Sequence, residues 1–198
     1  MLSDQNSEPR CHADALVVRA KTDRESLGQL YDLYYDRILG YCVRRLFRRC
    51  EAEEACSEVF LYVAAHIGQF RGTTEQEFRC WLYRIATNTT NAHARRTRRR
   101  LELMRQAVTS DAIAAADVES ERPDGEILDW PRVYQSIATL RSREQAIVTL
   151  RFFEQMSHAE IAATLNLRPG AVRVALSRAI AKLRKLLLPQ KLPPAQSL

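Results

Sequence analysis

Apolar side chains recur at three- and four-residue intervals along almost the whole chain, and no stretch alternates with the two-residue period of a strand. Only six glycines punctuate its 198 residues. The pattern predicts an all-α protein. Its first helix places Leu27, Leu30, Tyr31, Tyr34, Ile38, Tyr41, Cys42 and Leu46 on one face, with Asp23 or Ser26 as candidate cap. A second, from about Glu51 to Gln69, turns Ala52, Ala55, Cys56, Val59, Phe60, Val63 and Ile67 inward. Gln69 to Gln76 reads as a loop turning at Arg71-Gly72-Thr73-Thr74.

The third helix, Phe78 to Arg100, carries two kinds of chemistry. Phe78, Trp81, Leu82, Ile85, Thr89 and Ala92 form an apolar stripe, while Arg84, Asn88, Asn91 and Arg95 align on another face. The helix then enters an arginine cluster containing Arg96, Arg98 and Arg99. Aromatic rings stack on unpaired bases, asparagine reads base edges and guanidinium forks grip phosphates, so this combination suits opened DNA. An ordinary amphipathic core helix with a solvated basic end has the same periodicity. The second helix is unusual on its outer side, where Leu61 lies among Glu54, Ser57, Glu58 and Ala65. An apolar residue rimmed by acids has the look of a docking face, although single exposed leucines are common.

After Arg100 the composition changes: Leu101 to Pro131 contains eight acidic residues against two arginines, and Pro123-Asp124-Gly125 breaks any helix there. This reads as a linker between two domains. Beyond it, Ser142-x-x-Gln145 and Ser157-x-x-Glu160 look like capping boxes, one opening a helix through Phe152 and the other a short helix to Leu165. Asn166-Leu167-Arg168 makes a turn, and Pro169 suits the first position of a last helix. That helix buries Val172, Leu176, Ile180, Leu183 and Leu187 and shows Arg173, Ser177, Arg178, Lys182 and Lys185 outward. A short helix, a tight turn and a longer basic helix are the parts of a helix-turn-helix, and the basic face favours DNA over a plain helical hairpin.

The formal charge of +6 favours a polyanionic partner, and all but four of the 30 cationic side chains are arginine. No apolar run approaches the roughly 20 residues a membrane-spanning helix needs, and the N-terminus lacks a hydrophobic signal segment, which predicts a cytoplasmic protein. Five cysteines with no C-x-x-C pair argue against a zinc site or disulfides. No grouping of nucleophile, base and orienter is legible, so neither catalytic residues nor cofactors or metals are expected.

Several ordered motifs resemble the extracytoplasmic function (ECF) group of bacterial RNA polymerase sigma factors. Leu30-Tyr31-x-x-Tyr34-Tyr35 through Arg45, Glu51-Ala52-Glu53-Glu54 through Glu58-Val59-Phe60, and Phe70-Arg71-Gly72 followed by Trp81-Leu82-Tyr83-Arg84-Ile85-Ala86-x-Asn88 resemble its region 2. Leu140-x-x-Arg143-Glu144-Gln145, Leu150-Arg151-Phe152, Ser157-x-x-Glu160-Ile161-Ala162 and Gly170-Ala171-Val172-Arg173 through Ser177-Arg178-Ala179 resemble region 4.

The resemblance implies an N-terminal extension at 1–22, a region 2 domain at 23–100, an acidic linker at 101–129, a region 4 helix-turn-helix domain at 130–188 and a tail at 189–198. It implies that Glu54, Ser57, Glu58, Leu61 and Ala65 dock on the clamp of the largest subunit of core RNA polymerase, and that region 4 meets the flap of the second largest. Phe70, Arg71, Trp81, Tyr83, Arg84, Asn88, Asn91 and Arg95 would capture the minus-ten strand of promoter DNA, with Arg96, Arg98 and Arg99 on phosphates. Arg168, Arg173, Ser177, Arg178 and Lys182 would meet the minus-thirty-five element. An anti-sigma factor is a further implied partner.

The chain departs from the family's pattern in places. The Gly72–Trp81 stretch is longer than usual, Ala55 and Ser57 stand where Leu and Gln are common, Val174 and Ala175 replace polar or basic residues, and Arg141 stands where proline is usual. Base readout then falls mainly to Arg173, with Arg178 and Lys182 on phosphates. The residues alone leave two rivals open: a helix-turn-helix regulator acting without polymerase, and a helical adaptor that docks through the Leu61 face.

Overall fold

The computed structural model describes residues 8–107 and 130–187. Most of the acidic linker and all of the tail, as well as residues 1–7, lie outside the described residues. Among those described are eight α-helices, one short 3-10 turn and no strand: α1 (Glu8–Arg19), α2 (Arg24–Leu46), α3 (Arg49–His66), α4 (Glu75–Ala107), α5 (Trp130–Ala138), α6 (Ser142–Phe152), α7 (His158–Leu165) and α8 (Pro169–Leu187).

Local chemistry sets the boundaries. The Asp23 carboxylate accepts the Glu25 and Ser26 backbone N–H groups and caps α2. Phe47, at φ 58°, ends it in the left-handed region. The Ser157 hydroxyl accepts the Glu160 N–H while the Glu160 carboxylate accepts the Ser157 N–H, which is the expected capping box of α7. Asn166, at φ 53°, closes α7 and makes the turn into α8.

The box expected from Ser142 and Gln145 does not form, and only half of one is made, one residue earlier, since the Arg141 side chain has no acceptor. Glu144 reaches back to the Arg141 N–H. Gln145 is buried and donates to the Ile137 and Ala138 carbonyls, because its position in the register faces α5 rather than the helix end.

Helices α1 to α4 form the first core. Leu30, Tyr34, Ile38 and Tyr41 of α2 meet Ala52, Cys56, Val59 and Val63 of α3 and Phe78, Leu82, Tyr83 and Ala86 of α4. The Tyr41 and Thr87 hydroxyls share a hydrogen bond of 2.7 Å. Burial pushes the Cys56 thiol up to about 11 and raises Cys42 as well, so both stay protonated and pack as small apolar groups. Within the segment read as an N-terminal extension, α1 is part of this core: Leu16, Val17 and Ala20 are buried. The 12 residues of α1 show little of the apolar periodicity that marks α2. The third helix also runs past Arg100, reaching Ala107.

In the second core α5, α6, α7 and α8 gather around Ile147, Leu150, Met156, Ile161 and Val172. The two cores abut. Helix α7 lies along α4, and α6 touches α2. Helix α4 is therefore covered on two sides, and its buried set adds Tyr83, Thr87, Thr90 and His93 to the stripe seen in the sequence.

Leu82→Ala, a truncation at a fully buried position in α4, should cost about 2–5 kcal/mol in urea-induced unfolding. Leu61→Ala, at a position 71% exposed, should change the same measurement by less than about 0.5 kcal/mol.

Candidate nucleic-acid interface

The loop before α4 is shaped by a single ring. Phe70 stacks on Trp81 with centroids 4.9 Å apart and meets Phe78 edge-on at 6.0 Å. Its ring lies over Gly72, where a β-carbon would come within 2.4 Å of the ring and 2.9 Å of the Glu77 β-carbon. Glycine is needed there for space. Glu77 accepts the Thr73 and Thr74 N–H groups and the Thr74 hydroxyl, which holds its carboxyl below the ordinary range. Between these anchored positions Arg71 is exposed. Phe70 and Trp81 are half-buried, each covering the other.

Along α4, Asn88 and Arg95 are exposed, as are Arg96, Arg98 and Arg99. Arg96 lies 3.6 Å from Glu58, so it contributes to the α3 edge as well as to the basic cluster. The other expected residues on this helix are occupied. Tyr83 is fully buried and donates its hydroxyl to Glu154, which corrects its assignment as a base contact. Burial and the Glu154 charge push that phenol upward, so it remains a donor. Arg84 donates to the Ala163 and Thr164 carbonyls at the end of α7. Asn91 accepts from Arg45 at 2.6 Å. The helical wheel put Arg84 and Asn91 on an outward face because it could not show that another helix lies there.

Five further contacts fasten this junction. Glu154, 3% exposed, takes the Tyr83 hydroxyl and, at 3.2 Å, Arg44. Arg45, 4% exposed, donates to Gln145 at 2.7 Å. Arg79 pairs with Glu160 at 2.8 Å. Arg44 also lies over the Phe153 ring at 4.7 Å. For Glu160, burial opposes ionisation, but the Ser157 N–H and hydroxyl and the Arg79 guanidinium outweigh it and lower its pKa. Sequence reading passed over Arg44, Arg79 and Glu154. The one available signal was a lone acid following Phe152-Phe153.

On α8 the outward face is open: Arg168, Arg173, Val174, Ser177 and Arg178 are all exposed. Lys182 is exposed too, but its ammonium sits 2.7 Å from Glu144, which keeps that carboxyl below its ordinary value. This lysine thus serves first to tie α8 to α6. On α3, Glu54, Ser57, Glu58, Leu61 and Ala65 are exposed together, with Tyr62 beside them. Glu58 leans toward α4, 3.2 Å from His93. Among the described residues no group of His, Cys, Asp and Glu has the arrangement of a metal site, and no helix is long and apolar enough to cross a membrane.

Comparison with known proteins follows the same division. Residues 30–100 match the model for Sigma-70 region 2, and residues 131–183 match that for Sigma-70, region 4. The ECF RNA polymerase sigma factor BldN of Streptomyces coelicolor is 33% identical over 175 residues, which is 87% of this chain and 64% of that longer protein. The RNA polymerase sigma-H factor of Pseudomonas aeruginosa is 32% identical over 84% of this chain and 89% of its own length. In fold, the chain resembles the sigma factor RpoE of Bartonella quintana, solved in complex with the anti-sigma factor NepR, with a TM-score of 0.63 at 18% identity over 81% of this chain and 95% of that one. With its two exposed faces carried on two matched regions in the same order, the chain belongs to the sigma-70 family of RNA polymerase sigma factors, in the extracytoplasmic function group.

Proposed function

We propose that this protein acts in the cytoplasm as a non-catalytic initiation factor that docks on core RNA polymerase through the exposed α3 face and brings promoter DNA to α4 and α8. The observation that carries the reading is the joint exposure of Leu61 among Glu54, Ser57, Glu58 and Ala65 on α3, and of Arg173, Ser177 and Arg178 on α8. The α3 face meets the clamp of the largest subunit and the C-terminal unit meets the flap of the second largest. Arg168, Arg173, Ser177 and Arg178 face the minus-thirty-five major groove, where an arginine fork can read guanine. Phe70, Arg71, Trp81, Arg84, Asn88, Asn91 and Arg95 serve the minus-ten strand, with Arg96, Arg98 and Arg99 on phosphates. An anti-sigma factor is a further partner.

This assignment requires the two units to part. Elements centred about 25 base pairs apart are separated by about 85 Å of duplex at about 3.4 Å per step, whereas Arg84 of α4 is bonded to the end of α7. Parting also frees Arg84 for the strand, and it removes Gln145 from Arg45, the α2 residue that holds Asn91. Core docking supplies the binding energy that favours the parted form.

Run-off transcription with core polymerase, on promoters selected from genomic DNA by the holoenzyme, tests the function; no initiation above core alone and no complex surviving gel filtration would refute it. Asn88→Ala should slow open-complex formation at least about ten-fold while core affinity is unchanged, and Leu61→Asp should weaken core affinity by about ten-fold or more with helicity intact. Replacing both Arg44 and Arg79 with alanine leaves Glu154 and Glu160 without their cations. The radius of gyration from small-angle X-ray scattering should rise, and polymerase-free binding of single-stranded promoter oligonucleotides should strengthen about three- to ten-fold. An unchanged radius would mean that these contacts do not hold the units together.

A further inference from the structure

The base-capture loop is anchored from outside by α1 and the turn that follows it, both of which precede the span matched by the region 2 model. The Lys21 ammonium donates to the Gly72 carbonyl at 2.7 Å and lies 5.5 Å from the centroid of the Phe70 ring. One cation thus grips the two residues on either side of Arg71. The Asp14 carboxylate accepts the Glu75 N–H at 2.6 Å, capping the first residue of α4 from another helix. The Glu75 side chain is held in turn by the Tyr34 hydroxyl. With Glu77 on Thr73 and Thr74, each backbone position from Gly72 to Glu75 is tied down, and the exposed Arg71 is the side chain this frame presents.

Residue choice points the same way. Lys21 is the only lysine before Lys182 in a chain that otherwise uses arginine. A compact ammonium fits beneath a ring and against a single carbonyl, where a planar five-donor fork would overfill the space.

We propose that Lys21 and Asp14 are positioning residues for minus-ten base capture, fixing the Phe70–Glu75 loop in its binding geometry before DNA arrives. The inference rests on the reading that this loop and α4 meet the opened strand. A loop ordered in advance spends none of the base-binding energy on its own ordering. Lys21 and Asp14 themselves touch no DNA.

The test uses holoenzyme assembled with core polymerase and the promoter fragment most enriched by the wild type, with 2-aminopurine replacing each minus-ten adenine in turn. Lys21→Met keeps the stem and removes the charge. It should form holoenzyme at wild-type affinity and bind the duplex minus-thirty-five element unchanged, but slow the 2-aminopurine signal about ten-fold, the scale of a lost hydrogen bond to a charged group. Lys21→Arg should fall between. Asp14→Ala should slow opening, and Asp14→Asn, which keeps an acceptor, should restore it. Leu16→Ala, which loosens α1 without touching the loop, controls for stability.

Opening at the wild-type rate in Lys21→Met, or a slowing that Leu16→Ala reproduces at equal thermal stability, overturns the proposal. Wild-type opening in both Phe70→Ala and Arg71→Ala overturns the loop's role itself, and the positioning role with it.

Discussion

A carboxylate removed from water must be met by charge and hydrogen bonds, and Glu154 obtains them only when the two halves of the chain touch. It lies on the C-terminal unit, but its partners, Arg44 and the Tyr83 hydroxyl, come from α2 and α4. The double burial of α4, the occupation of Arg84 by the carbonyls of α7 and the pairing of Arg79 with Glu160 all follow from the same approach. Separated, Glu154, Arg44 and Arg79 would be hydrated at little cost. Buried ion pairs are close to neutral against hydration, so this junction gives geometry more than it gives net stability.

The junction is also imperfectly satisfied. Arg44, Arg45 and Arg79 each direct some donors at a partner, while the buried Nε of each finds none among the described residues. Unmade hydrogen bonds of buried donors lower the cost of exchanging the interface for water. Interfaces of this polar kind between units of one chain are the ones across which units move. The individual cores are different: Ile38, Tyr41 and Leu82 on one side, and Ile147, Leu150 and Ile161 on the other, are almost wholly removed from solvent. The two units thus have apolar interiors and meet across a charged seam.

What the sequence could convey depended on the range of each interaction. Helix periodicity is local, so α2, α3 and α8 were legible within a few residues and α4 at its start, as were the Asp23 cap and the Ser157–Glu160 box. The exposed face of α3 was legible for the same reason, since five residues at helical spacing on a two-sided helix must share a side. Helix α1 was not, because Leu16 and Val17, neighbours in sequence, make too weak a stripe for a 12-residue helix. Arg84 and Asn91 were placed outward because a wheel records which residues share a face and not what that face meets, and Tyr83 entered through the family resemblance alone. Their partners lie 46 to 80 residues away in the chain. The Arg141 register was missed for a smaller reason: Gln145 satisfies the capping pattern but is drawn inward by the Ile137 and Ala138 carbonyls.

The two nucleic-acid faces are not treated alike by this architecture. Helix α8 packs on α5, α6 and α7 within its own unit, so Arg173, Val174, Ser177 and Arg178 have the same surroundings whether the units are together or apart. Helix α4 surrenders Tyr83 and Arg84 to the junction and keeps Asn88 exposed. On the proposed roles, duplex recognition by α8 is insensitive to the junction, and strand capture by α4 is the step it controls. Binding energy spent on parting the units is spent where the duplex must also be opened, and any ligand that favours contact between them acts on melting before it acts on recognition.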